Sequence, residues 1–246
     1  MKVDFFAIVF IFLILILTVY FPISGYRGMK RLKSQLTAGN HEEKARFYHR
    51  TIAGSWVPVI LVLLLIPISN VNPGDLGLKW IQIDTTSVSK WIVYPLIGFF
   101  LLYLIYLLYS LFVIKYDKKN REKVAKTIPE DTRFLLPVTP KEKQLWTRVS
   151  ISAGITEEIV YRGYLFFALA VVFPSLSIIH ILLITTLIFG MGHIYLGKDA
   201  IKSTFLGLLF GVFYILFDSV IPVIILHIVQ DLVVRDIFQE EEILND

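Results

Sequence analysis

Apolar residues in this chain come in long runs, not in the three-or-four-residue rhythm of a helix that lies half in water. Three runs, at about 3–23, 52–69 and 91–114, are nearly free of charge. A helix needs about 20 mostly apolar residues to cross the roughly 30 Å hydrocarbon layer of a bilayer, so each run predicts a transmembrane helix. Four further runs, 149–173, 177–194, 203–217 and 220–234, are shorter or carry polar residues and predict four more crossings. The expected fold is therefore all-α, a polytopic membrane helical bundle of about seven transmembrane helices. The first run reads as a retained helix and not a secretory signal: Asp4 follows Lys2, and no small-residue cleavage site follows Tyr20, Phe21 and Pro22.

The connections divide the chain. Residues 26–50 mix basic side chains with Met29, Leu32, Leu36 and Phe47, the pattern of a helix lying along the interface. Residues 72–78, NPGDLGL, are turn chemistry, and Trp80, Trp91 and Tyr94 fit an aromatic belt. Residues 115–143, with Pro129, Pro137 and Pro140, predict a mobile cytosolic segment. The organisation expected is 1–148, membrane helices with basic loops; 149–235, a polar-faced helical core; and 236–246, an acidic tail.

Composition agrees with the runs: 56% of residues are hydrophobic, 18% are charged and the mean hydropathy is +0.69. Seven basic residues lie in 24–51 and ten in 115–148. Lys and Arg gather on the cytoplasmic side of membranes, which predicts the N-terminus outside and the C-terminus cytoplasmic in a multi-pass protein of the cell membrane. The net charge of +4 then points to anionic lipid head groups and not to nucleic acid. The absence of cysteine excludes disulfides, thiolate metal sites and a cysteine nucleophile.

Against this background the back half carries costly polar groups: Glu157, Glu158 and Arg162, then His193, then His227 and Asp231. A charge in the membrane interior costs about 2.5–3.5 kcal/mol on insertion scales, so such residues mark function or a tight pair. Glu158 and Arg162 are four apart and can pair along one helix face, whereas Glu157 is turned about 100° away. His227 and Asp231 are also four apart. The predicted topology puts Glu157, His193, His227 and Asp231 all in the cytoplasmic half. His180 and Asp218 read as interfacial, and Gly207 with Gly211 forms a GxxxG that suits close helix packing.

Two chemistries use such a set. A carboxylate and an imidazole can hold and deprotonate a water, while other polar groups stabilise the oxyanion formed on a carbonyl. Alternatively Glu157, His193, His227 and Asp231 are candidate ligands of a divalent metal such as zinc, with water in the open position; the metal-free reading needs no cofactor. Other hydrolytic motifs are missing: His41 and Glu42 begin HEEKA with Ala45 where a second His would stand, and no G-x-S-x-G occurs. Outside hydrolysis, a non-catalytic membrane regulator or a proton-coupled transporter could use the same residues.

EEIVYR at 157–162, FGMGH at 189–193 and HIVQD at 227–231, in that order, resemble the CPBP intramembrane proteases. That family includes the CAAX prenyl endopeptidases and the bacteriocin-processing and self-immunity proteins. The resemblance covers about 149–235 and implies an intramembrane endopeptidase acting on a peptide or lipid-anchored protein substrate near the cytoplasmic face. It implies Glu157 as general base with His193, Glu158 and Arg162 as a supporting ion pair, and His227 with Asp231 as the oxyanion-stabilising pair. Asp231 stands where the prenyl endopeptidases have Asn. An ionised Asp cannot donate a hydrogen bond, so Asp231 must be protonated, orient His227, or bind a metal. On the same scaffold, a bacteriocin self-immunity protein without catalysis is the alternative.

Overall fold

The computed structural model describes residues 3–69, 71–83, 85 and 89–239. Its helices are α1 (Val3–Leu15), α2 (Phe21–Thr37), α3 (Glu42–Ser69), α4 (Lys90–Tyr116), α5 (Lys118–Thr127), α6 (Glu130–Arg133), α7 (Pro140–Glu157), α8 (Leu165–Val172), α9 (Ile178–Gly192), α10 (Ala200–Phe217) and α11 (Val220–Val233). Among the described residues there is no strand, and the fold is an all-α bundle. Four helical stretches, Phe5–Thr37, Glu42–Ser69, Lys90–Tyr116 and Ile194–Phe217, are long and apolar enough to cross a membrane. The other expected crossings fall short for physical reasons. α9 and α11 have only 15 and 14 residues, and the apolar run of the α7–α8 stretch is interrupted by Glu157, Glu158 and Arg162.

Two connections differ from the sequence expectation. Residues 26–50 do not form a separate interfacial helix. A π turn, Ile16–Tyr20, carries α1 directly into α2, the chain reverses at 38–41, and α3 begins at Glu42. Pro22 directly follows the π turn, where the helix already departs from the regular i to i−4 ladder that a proline would interrupt. The segment 115–143 is likewise held and largely helical. Thr139 and Glu142 form a capping box with Pro140 at the first turn, so α7 starts nine residues before the apolar run at 149. Leu136 joins Ile114, Ile237 and Phe238 in a small core, and Tyr48 Oη donates to the Leu135 carbonyl. The beginning of the acidic tail therefore packs, with Asp236 3.6 Å from Lys143; residues 240–246 lie outside the described residues.

Side-chain pairs set the helix directions. Lys44–Glu142, Tyr48–Trp146 and Ser55–Ser152 contacts make α3 parallel to α7. Trp146 to Asp231 and Glu158 to His227 make α11 antiparallel to α7. Residues expected on one side also meet one another: Lys33 with Asp131 at one end, and Lys79 with Asp218 at the other.

Glycine fixes the closest approach. A Cβ on Gly154 would lie 2.5 Å from Ile228 Cγ1 and 3.1 Å from the Ile228 backbone nitrogen, so α11 rests on α7 at hydrogen distance. Gly207 and Gly211 play the same part between α10 and α9, where a Cβ would meet Phe189 at 2.7 Å and Leu182 at 2.4 Å. The GxxxG is thus a packing surface. Replacing Gly154 by Val should overpack the α7–α11 contact and cost about 1–3 kcal/mol. The expected readout is a lower midpoint in a thermal melt of the detergent-solubilised protein. Gly98→Val, where an added Cβ has no neighbour within 4 Å, should leave the midpoint nearly unchanged.

Candidate active site

At Glu157 the α-helix ends and the backbone widens into a π segment, Glu158–Tyr164, before α8 resumes. Such segments occur often at functional sites. Gly163 lets this segment sit against the 73–76 turn, since a Cβ there would be 2.4 Å from the Leu76 carbonyl oxygen.

The two adjacent glutamates face different surroundings. Glu158 is fully buried, and its Oε1 accepts from Arg162 Nη1 at 2.9 Å and from His227 Nδ1 at 2.7 Å. Arg162, also buried, donates through Nη2 to the Gly207 carbonyl at 2.8 Å. Its guanidinium lies 4.6 Å from the centre of the Phe189 ring and 5.7 Å from that of Phe210. One carboxylate therefore ties the π segment to α11, and its arginine extends the tie to α9 and α10.

Glu157 points into a cleft of about 470 Å³. His193, Tyr161 and Tyr195 share its inner wall, and residues of α2 and α3, among them Phe47, Arg50 and Gly54, line the rest, with Gly25 packed directly on the Tyr195 ring. His193 caps α9. Its Nδ1 lies 2.9 Å from the Phe189 carbonyl oxygen, which can only accept, so Nδ1 carries the proton and Nε2 of the neutral ring is a free acceptor. That Nε2 is 3.9 Å from Glu157 Oε2, and His227 Nε2 is 4.0 Å from the same oxygen. His227 Nε2 is also 3.7 Å from Asp231 Oδ2. These separations are too long for direct hydrogen bonds. Glu157 Oε2 is buried and has no hydrogen-bond partner among the described residues.

All six polar residues singled out in the sequence converge here, and the expected Glu158–Arg162 pair is formed. The bond from His227 to Glu158 was not legible, because it depends on the register of α11 against α7. Since Glu158 orients His227, Asp231 is not needed for that task; its backbone carbonyl accepts from Trp146 Nε1 at 2.9 Å. Tyr161, one turn beyond Glu157, could have been found by helical spacing. Tyr195, stacked at 6.1 Å on His193, and Arg50, from a distant helix, left no such signal. His180 bonds Ser177 and Asp218 pairs with Lys79, both away from the cleft. Among the described residues no group of three or more His, Asp or Glu side chains is arranged to hold a metal ion.

Residues 141–233 match the family model of the type II CAAX prenyl endopeptidases, Rce1-like. No curated protein and no solved structure matches the chain. The matched segment begins with α7 and ends with α11, so it contains every residue of the inner wall named above; α2 and α3 lie outside it.

Glu158 and Arg162 offer a direct test of the buried tie. Arg162→Ala leaves a buried carboxylate beside His227 and should cost about 3–5 kcal/mol, whereas the double replacement Glu158→Leu with Arg162→Met should recover much of that loss. Denaturant titration of the three proteins in one detergent measures both.

Proposed function

We propose that the chain is an intramembrane endopeptidase that hydrolyses a peptide bond with water activated by Glu157 and His193. The carrying observation is the pair of acceptors, Glu157 Oε2 and His193 Nε2, facing each other at 3.9 Å on the wall of the cleft. Two acceptors at that distance are joined by a molecule with two donors, and water is one. The family match over 141–233 supports the same reading.

In this mechanism the water donates to Glu157 and His193, and Glu157 takes a proton as the water oxygen attacks the scissile carbonyl carbon. The carbonyl oxygen becomes an oxyanion. With Nδ1 committed to Glu158, His227 can donate through Nε2 only when its ring is protonated, and the nearby Asp231 carboxylate stabilises that charge. The carbon–nitrogen bond then breaks, and the proton held by Glu157 passes to the leaving amine. The products are one carboxylic acid, which keeps the second proton of the water until it ionises, and one amine. Enclosure within the bundle restricts water to the cleft.

The substrate in this reading is a peptide or lipid-anchored protein reached from the cytoplasmic side. The chain crosses the cell membrane seven times, with the N-terminus outside. The short α9 and α11 then span thin parts of the bundle, shielded by the longer helices.

Glu157→Gln keeps the shape of the side chain and removes the base. Cleavage of a fluorogenic peptide pool should fall by about 10²–10⁴-fold while the melting midpoint stays within about 2 °C, since Glu157 supports no buried pair. Asp231→Asn, which loses charge but gains a donor, should retain activity within about tenfold. Full cleavage by the Glu157→Gln protein would refute the base assignment.

A further inference from the structure

The outer wall of the cleft carries a charge cluster that the chemistry above does not use. Glu43, 1% exposed, is approached by three arginines: Arg50 Nη2 at 2.7 Å, Arg31 Nε at 2.9 Å and Arg46 Nη1 at 3.8 Å. Arg46 also pairs with Glu42 at 2.9 Å. Three guanidiniums against two carboxylates leave one positive charge in excess. Of the three, only Arg50 lines the cleft that holds Glu157 and His193. A guanidinium has five donors in a planar fork, and the bond to Glu43 Oε1 takes one of them. Arg50 is half exposed, so its remaining donors can reach an anion inside the cleft.

The distance from Arg50 to the proposed chemistry follows from helix register. α3 runs parallel to α7 with Lys44 beside Glu142 and Tyr48 beside Trp146, so Arg50 is level with Arg148. Glu157 is nine residues further along, or roughly 14 Å at 1.5 Å per residue. An extended peptide covers that distance in about four residues at ~3.3 Å each. The walls between are lined by small residues, Gly28, Ala53, Gly54 and Ser55, which leave room for a backbone and short side chains.

We infer that Arg50 is a specificity-determining residue, binding a carboxylate of the substrate peptide about four residues from the scissile bond. This inference rests on the endopeptidase reading. The carboxylate belongs to the chain terminus or to an acidic side chain, and both present the same fork to the guanidinium. The Glu43 cluster holds Arg50 in place and supplies the surplus charge. Arg31 and Arg46, outside the cleft, serve Glu43 and not the substrate.

The test uses the full-length protein in neutral phosphatidylcholine nanodiscs and three pools of apolar fluorogenic decapeptides. One pool ends in a free acid, one in an amide, and one in an amide with Glu as its last residue. Wild type should prefer the free-acid or the Glu pool over the plain amide pool by about 10–100-fold in kcat/KM, expressed in KM, and the better pool identifies the source of the carboxylate. Arg50→Gln should bring the ratio near one with kcat retained, Arg50→Lys should restore part of it, and Lys33→Gln on the outer surface should leave it unchanged. Glu43 keeps Arg31 and Arg46 in the Arg50→Gln protein, so the fold has no reason to fail.

Equal cleavage of all three pools by wild type overturns the inference and leaves the endopeptidase reading standing. If no pool is cleaved, that reading fails, and fluorescence anisotropy of the same labelled pools decides the inference: a 10–100-fold tighter Kd for either carboxylate pool, lost in Arg50→Gln, sustains the carboxylate site, and equal Kd values overturn it. An Arg50→Gln protein altered only in its response to phosphatidylglycerol vesicles assigns the cluster to lipid phosphate and also overturns it.

Discussion

The fully buried carboxylate of Glu158 is the constraint on which the back half of the bundle depends. A lone charge there would be prohibitively costly, and its Oε1 answers that cost with two donors at once, Arg162 along its own helix and His227 across the α7–α11 contact. Neither donor is local in its effect. Arg162 reaches the Gly207 carbonyl and lies over Phe189, so the position of α9 and α10 is coupled to the same charge. His193 follows on the end of α9, held by the Phe189 carbonyl. Geometry at the cleft is thereby set by groups that do not face it.

Adjacent glutamates can do such different work because a helix turns about 100° per residue. Glu158 faces the packed interior and meets fixed donors, whereas Glu157 faces the cleft, with imidazole nitrogens at 3.9 and 4.0 Å. The close approach that brings His227 within reach of both depends on Gly154, where a side chain would displace the α11 backbone. A buried charge, a missing side chain and a widened helical turn combine to hold Glu157, His193 and His227 in their places around the cleft.

The α2–α3 hairpin gives the cleft its second wall. It lies outside the segment that matches the endopeptidase family model, and it brings small residues and Arg50 to the cleft that Glu157 and His193 also line. Under the proposed function and the role inferred for Arg50, chemistry and selectivity come from different parts of the chain. The first belongs to helices constrained by burial, and the second to a hairpin anchored through its Ser55 and Trp56 contacts with Ser152.

Much of this was written in the sequence. Long apolar runs required helices because a membrane interior leaves backbone groups no other partner, and polar residues within such runs singled out Glu157, Glu158, Arg162, His193, His227 and Asp231. The i to i+4 spacing of Glu158 and Arg162 was enough to pair them, since that contact is made within one helical segment. Contacts between helices were not legible in this way. The bond from Glu158 to His227 depends on how far α11 slides along α7, which Gly154 permits but no local pattern specifies. The continuous α1–α2 helix overrode an amphipathic pattern that also suited the interface, because the same residues found partners on α3 and the 115–143 segment. Residue types and spacing determined which polar groups stand out from the apolar runs, and packing between distant helices decided which of them meet, at what distance, and across which cleft.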